Sequence, residues 1–225
     1  MEKGFSLTEE QKNAFEEILF NKKSVSVELA KQTAKFDAFK ALLGSERILT
    51  DFKAKLPPSF RGQALVGCDP ANSKEVLVAL TKFVIQADMK PVLVLMNYNY
   101  RTVRSALEEE GVKENVIIID TISKSIAQVS DEKNLLFVDS LRNLTQLQIK
   151  MINVIEKNNG CTFIFDSLGM LELYHEEDIV FKFIYSLTKL LHKNRVNGFF
   201  ISSKKSFSLK LGQFFDEVVE LKKFV

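Results

Sequence analysis

A series of short apolar runs without polar–apolar alternation constrains this chain more than any other feature. They fall at residues 64–67, 91–96, 116–120, 135–138, 162–165 and 198–201. A strand that faces water on one side alternates; one that is apolar throughout is buried on both faces. Between these runs lie amphipathic helical patterns at 73–87, 101–110, 144–157 and 176–193. Strands buried on both faces and separated by helices predict an α/β fold, a mostly parallel central sheet flanked by helices. A helical stretch at 207–214 and a closing strand at 217–221 complete the pattern. In open sheets of this kind ligands bind beyond the carboxyl ends of the strands. Attention therefore goes to 67–74, 97–101, Asp120-Thr121, Asp139-Ser140, Asp166-Ser167 and Ser202-Ser203.

The segment before Pro57-Pro58 has a different grammar. Ser6-Leu-Thr-Glu9 is a capping box, and Phe15, Ile18 and Leu19 share a helical face. A second helix carries Val25, Leu29, Phe36, Phe39 and Leu43 and is expected to close at Gly44. Ile48, Leu49 and Phe52 predict a third, short helix. The expected division is a helical N-terminal arm or cap over 1–55 and an α/β domain over 56–225. The arm has two readings, a cover for an exposed face of the core or a contact with a second chain.

Composition removes several functions. Lys and Arg number 31 and Asp and Glu 29, a net charge of +2, which gives no general attraction to nucleic acid or anionic membranes. Cys68 and Cys161 alone cannot build a disulfide framework or a zinc knuckle, and His175 and His192 cannot make a His-rich metal centre. No apolar run approaches the roughly 20 residues of a membrane span. The N-terminal residues lack the apolar core of an export signal, so a cytoplasmic location is expected.

Chemistry concentrates at strand ends. Gly67-Cys-Asp-Pro-Ala-Asn-Ser73-Lys74-Glu75 follows a strand and opens a helix, the setting of a phosphate-binding loop. Such a loop needs glycines to aim backbone N–H groups, a Lys, and then Ser or Thr for Mg²⁺. Here only Lys74 matches. Cys68 and Ser73 stand at the glycine positions, Glu75 stands at the Mg²⁺ position, and Gly67 comes one place early. Asp69 adds negative charge. Two apolar strands end in acid, 135–139 at Asp139 and 162–166 at Asp166, the form of a Walker B carboxylate. The alternative for each is an Asp that caps the following turn. No Gly-x-Ser-x-Gly elbow accompanies Ser140 or Ser167. His175 reads as a surface residue at a helix start, and Cys68 as a small thiol whose ionisation Asp69 opposes.

At this point the residues carry a resemblance. From Gln63 to Val225 the element order is similar to the RecA-like ATPase domain of the KaiC family. Thr162-Phe-Ile-Phe-Asp166-Ser167-Leu168 resembles its Walker B segment, and Val196-Asn-Gly-Phe-Phe-Ile-Ser-Ser203 the strand after it. Phe214-Phe-Asp-Glu-Val-Val-Glu-Leu221 resembles its closing strand. Two segments are more narrowly similar to uncharacterised archaeal KaiC-like proteins with eroded phosphate loops. They are Asp139-Ser-Leu-Arg-Asn-Leu-Thr-Gln-Leu147, and Asp166-Ser-Leu-Gly-Met-Leu-Glu-Leu-Tyr174 with Phe181-Lys-Phe-Ile-Tyr185.

The resemblance implies a nucleotide site between subunits and assembly into rings or filaments. The departures are as informative. KaiC-type ATPases carry acids after the second strand, one of which activates water. This chain has Met96-Asn97-Tyr98-Asn99 there. Loop glycines, Mg²⁺ hydroxyl and catalytic acid are absent together. The expectation is a degenerate nucleotide site at Ser73, Lys74 and Asp166, with no catalytic residue, no metal site and no required cofactor; ATP with Mg²⁺ is not favoured. Asn97, Asn99, Arg101, Ser202 and Lys204 remain as polar groups at the strand ends, either anion ligands or solvated loop residues. The resulting function is a pseudo-ATPase scaffold or regulatory module that contacts a protein partner or itself. The alternatives are an unorthodox ATP-binding ATPase and a DNA-binding recombinase paralogue, for which Lys204-Lys205 with Lys210 is the local basic patch.

Overall fold

The computed structural model describes residues 44–112, 115–203 and 210–221. The expectations placed on Ser6 through Leu43, including Phe15, Phe36 and Phe39, lie outside the described residues, as do Lys204, Lys205 and the start of the helix expected at 207. The elements run α1 (44–55), β1 (Gln63–Gly67), α2 (Ser73–Gln86), β2 (Lys90–Leu95), α3 (Tyr100–Glu109) and β3 (Ile117–Asp120). They continue with β4 (Leu135–Phe137), α4 (Leu144–Lys157), β5 (Cys161–Asp166), α5 (Glu177–Lys193), β6 (Asn197–Ser202) and β7 (Glu217–Glu220). Short 3₁₀ turns at Pro70–Asn72, Ser123–Ser125 and Leu168–Leu173 were not legible in the periodicity.

The described residues form a seven-stranded sheet in the order β4-β3-β2-β5-β6-β1-β7, parallel at every pairing, the closing strand included. The strands are apolar throughout because both faces are covered. Ala64, Val66, Leu93, Leu95, Ile164 and Phe199 pack with α1, α2 and α3. Leu65, Val92, Val94, Phe163, Phe165 and Phe200 pack with α4 and α5. The first face is built on crossed rings, Phe52 and Phe83 at 4.9 Å and both against Phe199 at 5.6 and 5.9 Å. The second has Phe165 stacked on Phe200 at 4.3 Å.

Helix ends follow local rules. Asn99 caps α3 through the Thr102 N–H, and Asn143 caps α4 through the Gln146 N–H. In α5, Glu177 and Asp178 open the helix and Lys193 closes it, each charge matching the helix dipole. Sheet edge β4 is only three residues long, and the Asp131 carboxylate takes the Phe137 N–H, which discourages further pairing.

Gly44 is the first described residue of α1, and the helix it is expected to close lies outside the described residues. Ile48, Leu49 and Phe52 of α1 are buried on the sheet. Lys82 of α2 pairs with Glu46 and with Glu110 at the end of α3, and the Ser45 hydroxyl donates to Glu110 at 2.9 Å. No helix among the described residues is long and apolar enough to cross a membrane.

Candidate degenerate nucleotide site

The strand order brings the carboxyl ends of β1, β6, β5 and β2 side by side. Between β2 and β5 the connections part, α3 covering one face and α5 the other. This is the crevice where an open parallel sheet binds ligands.

The turn from β1 into α2 closes on itself. The Cys68 N–H donates to the Ser202 carbonyl at 3.1 Å, and the Asn72 N–H to the Asp69 carbonyl at 2.9 Å. The Ala71 N–H donates to Asp69 Oδ1 at 3.1 Å, and the Ser73 N–H to the Pro70 carbonyl. Pro70 has no N–H to offer. A phosphate nest requires several consecutive N–H groups aimed at one point. Here the N–H groups of Ala71, Asn72 and Ser73 are committed within the turn and that of Cys68 to β6.

The sequence-predicted residues are only partly assembled. Ser73, 3% exposed, donates to the Pro70 carbonyl at 3.0 Å and shares a 2.9 Å hydrogen bond with the Tyr98 hydroxyl. Asp166, at the end of β5, is wholly buried; its Oδ2 accepts the Tyr98 N–H at 3.3 Å. Ser73 and Asp166 are thus linked through Tyr98, by its hydroxyl to the first and its backbone N–H to the second. Lys74 does not join them. It is half-buried and makes no ion pair or hydrogen bond among the described residues.

The electrostatics are those of an acidic crevice. Burial pushes the Asp166 carboxyl up to about 7, against the opposing pull of the Tyr98 and Asn97 N–H groups. Its Oδ1 is buried without a partner, and so is Oε2 of Glu75. The Cys68 thiol is pushed up to about 12, first by burial and then by Asp166, Asp69, Glu220 and Glu75. At pH 8 its thiolate fraction is smaller than that of an unfolded cysteine by roughly a thousandfold. Iodoacetamide at that pH should alkylate Cys68 slower by that factor in the native protein than in urea. Similar rates, followed by mass spectrometry, would contradict the acidic enclosure.

Glu220 escaped the sequence reading, because a register between β1 and a strand 150 residues later carries no local signal. It stands opposite Gly67 in the ladder, and its carboxylate lies over the Gly67 backbone. A Cβ on Gly67 would come within 2.3 Å of Glu220 Oε2. The glycine that sits one place early for a phosphate loop is thus the glycine that admits this carboxylate.

The other strand-end groups are structural. Asp139 is exposed, pairs with Lys124 at 2.5 Å and bonds Gln146; the Lys124 contact holds it below the usual carboxylate range. It takes no part in the crevice with Asp166. Asp120, wholly buried, accepts from the Tyr100, Ile122 and Ser123 N–H groups and the Ser123 hydroxyl at 2.7–2.8 Å, which fixes the turn after β3. Asn97 is exposed, Asn99 is a helix cap, and Arg101 lies exposed against the Tyr100 ring. His175 is half-buried, with Nε2 at 3.0 Å from the Leu141 carbonyl. Among the described residues no group of His, Cys, Asp and Glu could hold a metal ion.

No family model matches the sequence, and no curated protein matches it. Solved structures do match the fold. The uncharacterised protein PH0321 from Pyrococcus horikoshii, crystallised in complex with an unknown peptide, superposes with a TM-score of 0.55 at 13% identity, over 71% of this chain and 77% of that one. KaiC-like protein PH0186 from Pyrococcus horikoshii OT3 gives a TM-score of 0.53 at 13% identity, over 73% and 74%. A parallel sheet in this order, with an acid-ended strand at its topological switch point and these structural neighbours, gives the chain the RecA-type α/β fold of KaiC-like proteins.

Proposed function

We propose that the chain is a KaiC-like pseudo-ATPase, a cytoplasmic domain that has lost nucleotide hydrolysis and acts through protein contacts as a scaffold or regulatory module. The observation that carries this reading is the turn after β1, where the Cys68 N–H is bonded to β6 and the Ala71, Asn72 and Ser73 N–H groups are bonded within the turn. Charge supports it. Four carboxylates act on Cys68, at the place where phosphates would lie. A like-charge contact at 5–6 Å and an effective dielectric near 20 costs about 3 kcal/mol, or two powers of ten in affinity. Nothing at Asn97 or Tyr98 can activate water. The peptide held by PH0321 agrees with a binding role on this fold.

Calorimetric titration with ATP and Mg²⁺, paired with a phosphate-release assay, tests the proposal. The expected result is no turnover and binding no tighter than millimolar. Micromolar binding that disappears in Lys74→Ala, or turnover that depends on Asp166, would replace this reading with that of an unorthodox ATPase.

A further inference from the structure

The opposite edge of the sheet carries a feature that the proposed function leaves unused. At the amino ends of β1 and β6, beside the last turn of α5, two cavities of about 460 and 420 Å³ adjoin through shared walls at Gln63 and His192. Their rim is cationic: Lys189 and Lys193 line the first, beside His192, and Arg61 and Arg195 the second. The acid in these walls, Asp216, has its Oδ2 engaged by the Gln63 N–H at 2.7 Å. The side chains of His192, Lys193 and Arg195 have no ion-pair or hydrogen-bond partner among the described residues, although the Arg195 N–H donates to the His192 carbonyl at 3.0 Å. A match to the dipole at the end of α5 accounts for Lys193. It does not account for Arg61, which lies in the loop before β1 and donates from Nη1 to the Phe60 carbonyl at 2.8 Å, nor for Arg195. Arg195 follows the helix with φ 54°, a conformation that glycine adopts more easily.

The floor is apolar. Phe214 lies 5.8 Å from Tyr185, and Val196 is buried beneath the second cavity. The Lys189 ammonium already sits 4.3 Å from the centre of the Tyr185 ring. That ring is therefore not a free platform for a nucleobase, which single-strand binding would require. An apolar floor with a basic rim matches apolar side chains flanked by carboxylates.

We infer that the groove along Lys189, His192, Lys193, Arg195 and Arg61 docks an acidic peptide segment of a partner protein. This gives the proposed protein-contact role a partner chemistry and a surface remote from the crevice. The ATP titration and the test below therefore fail independently.

The test is fluorescence anisotropy on the full chain with three labelled probes: the acidic peptide (Glu-Glu-Leu)₃, the basic peptide (Lys-Lys-Leu)₃ and a thymidine oligonucleotide. The acidic peptide should bind about tenfold or more tightly than either other probe, and weaken as salt rises. The double variant Lys193→Glu with Arg195→Glu should lose about tenfold in affinity, with an unchanged circular dichroism spectrum. Arg61→Glu, at the far end of the groove, provides a second variant with the same expected direction. Lys74→Ala should leave binding unchanged. Equal binding of both peptides, tighter binding of the oligonucleotide, or full affinity in the charge-reversed variants would each overturn the inference.

Discussion

Asp166→Asn should be more stable than the wild type by about 2–4 kcal/mol at pH 8, and the advantage should vanish near pH 4. The carboxyl is wholly buried, no cation compensates it, and its pKa stands at about 7. In the unfolded chain an aspartate titrates near 3.9. Between these values the folded protein holds a proton that the unfolded chain has released. The favourable contribution is therefore complete below about pH 4, declines as pH rises, and is gone above about 7. Three units of difference correspond to about 4 kcal/mol, an upper bound. Asparagine keeps the acceptor for the Tyr98 N–H and has no charge to bury. Its amide would stand where Oδ1 now lacks a partner, an offset of about 1 kcal/mol. Urea unfolding of both proteins at pH 4, 5.5, 7 and 8.5 measures the difference, since every other titrating group is shared. Parallel stability curves, or a variant less stable at pH 8.5, would show that a cation or donor reaches Asp166.

The architecture was legible because it rests on local signals. Runs such as residues 91–96 and 162–165 declare burial on both faces, and a helix of opposite periodicity follows each. The observed bounds, Lys90–Leu95 and Cys161–Asp166, differ by one residue at each end. The crevice was legible only in part. Missing glycines carried the expectation that the turn at 68–72 does not cradle phosphate. They did not show where its N–H groups go, which depends on Asp69 folding back onto Ala71 and on β6 lying beside β1. Tyr98 was noted for not being an acid; its hydroxyl contact with Ser73 needs the distance between two non-adjacent strands. Asp139 and Asp166 look alike in sequence. They separate only in space, one in water beside Lys124 and the other enclosed between β2 and β6. The even overall charge likewise concealed an acidic crevice at one edge of the sheet and a basic groove at the other.

Phe52→Ala should destabilise the protein by about 3–5 kcal/mol, the usual range for deleting a buried phenyl ring. The sequence alone assigns Phe52 to a helical N-terminal arm or cap ending at 55. In the structure α1 is one wall of the core: Phe52 is 1% exposed and meets Phe83 and Phe199 edge to face. Phe199 lies in β6, between β5 and β1, so the ring of α1 rests on the interior of the sheet rather than on its rim. Ala at 52 would leave a void under Phe83 and Phe199. Neither ring can move to fill it, because Phe83 is fixed in α2 and Phe199 in the ladder. For a chain of this size about 2–4 °C of melting temperature goes with each kcal/mol, so the midpoint should fall by roughly 10 °C. A cut at residue 56 would also remove Ile48 and Leu49, each contributing about 1.5–3 kcal/mol of burial. Together the three side chains approach the whole stability of an ordinary domain, about 5–15 kcal/mol. The truncated chain should therefore fail to give a cooperative thermal transition. A Phe52→Ala shift below about 1 kcal/mol, outside the range expected for a buried ring, would show that α1 is an accessory to the sheet and not part of its core.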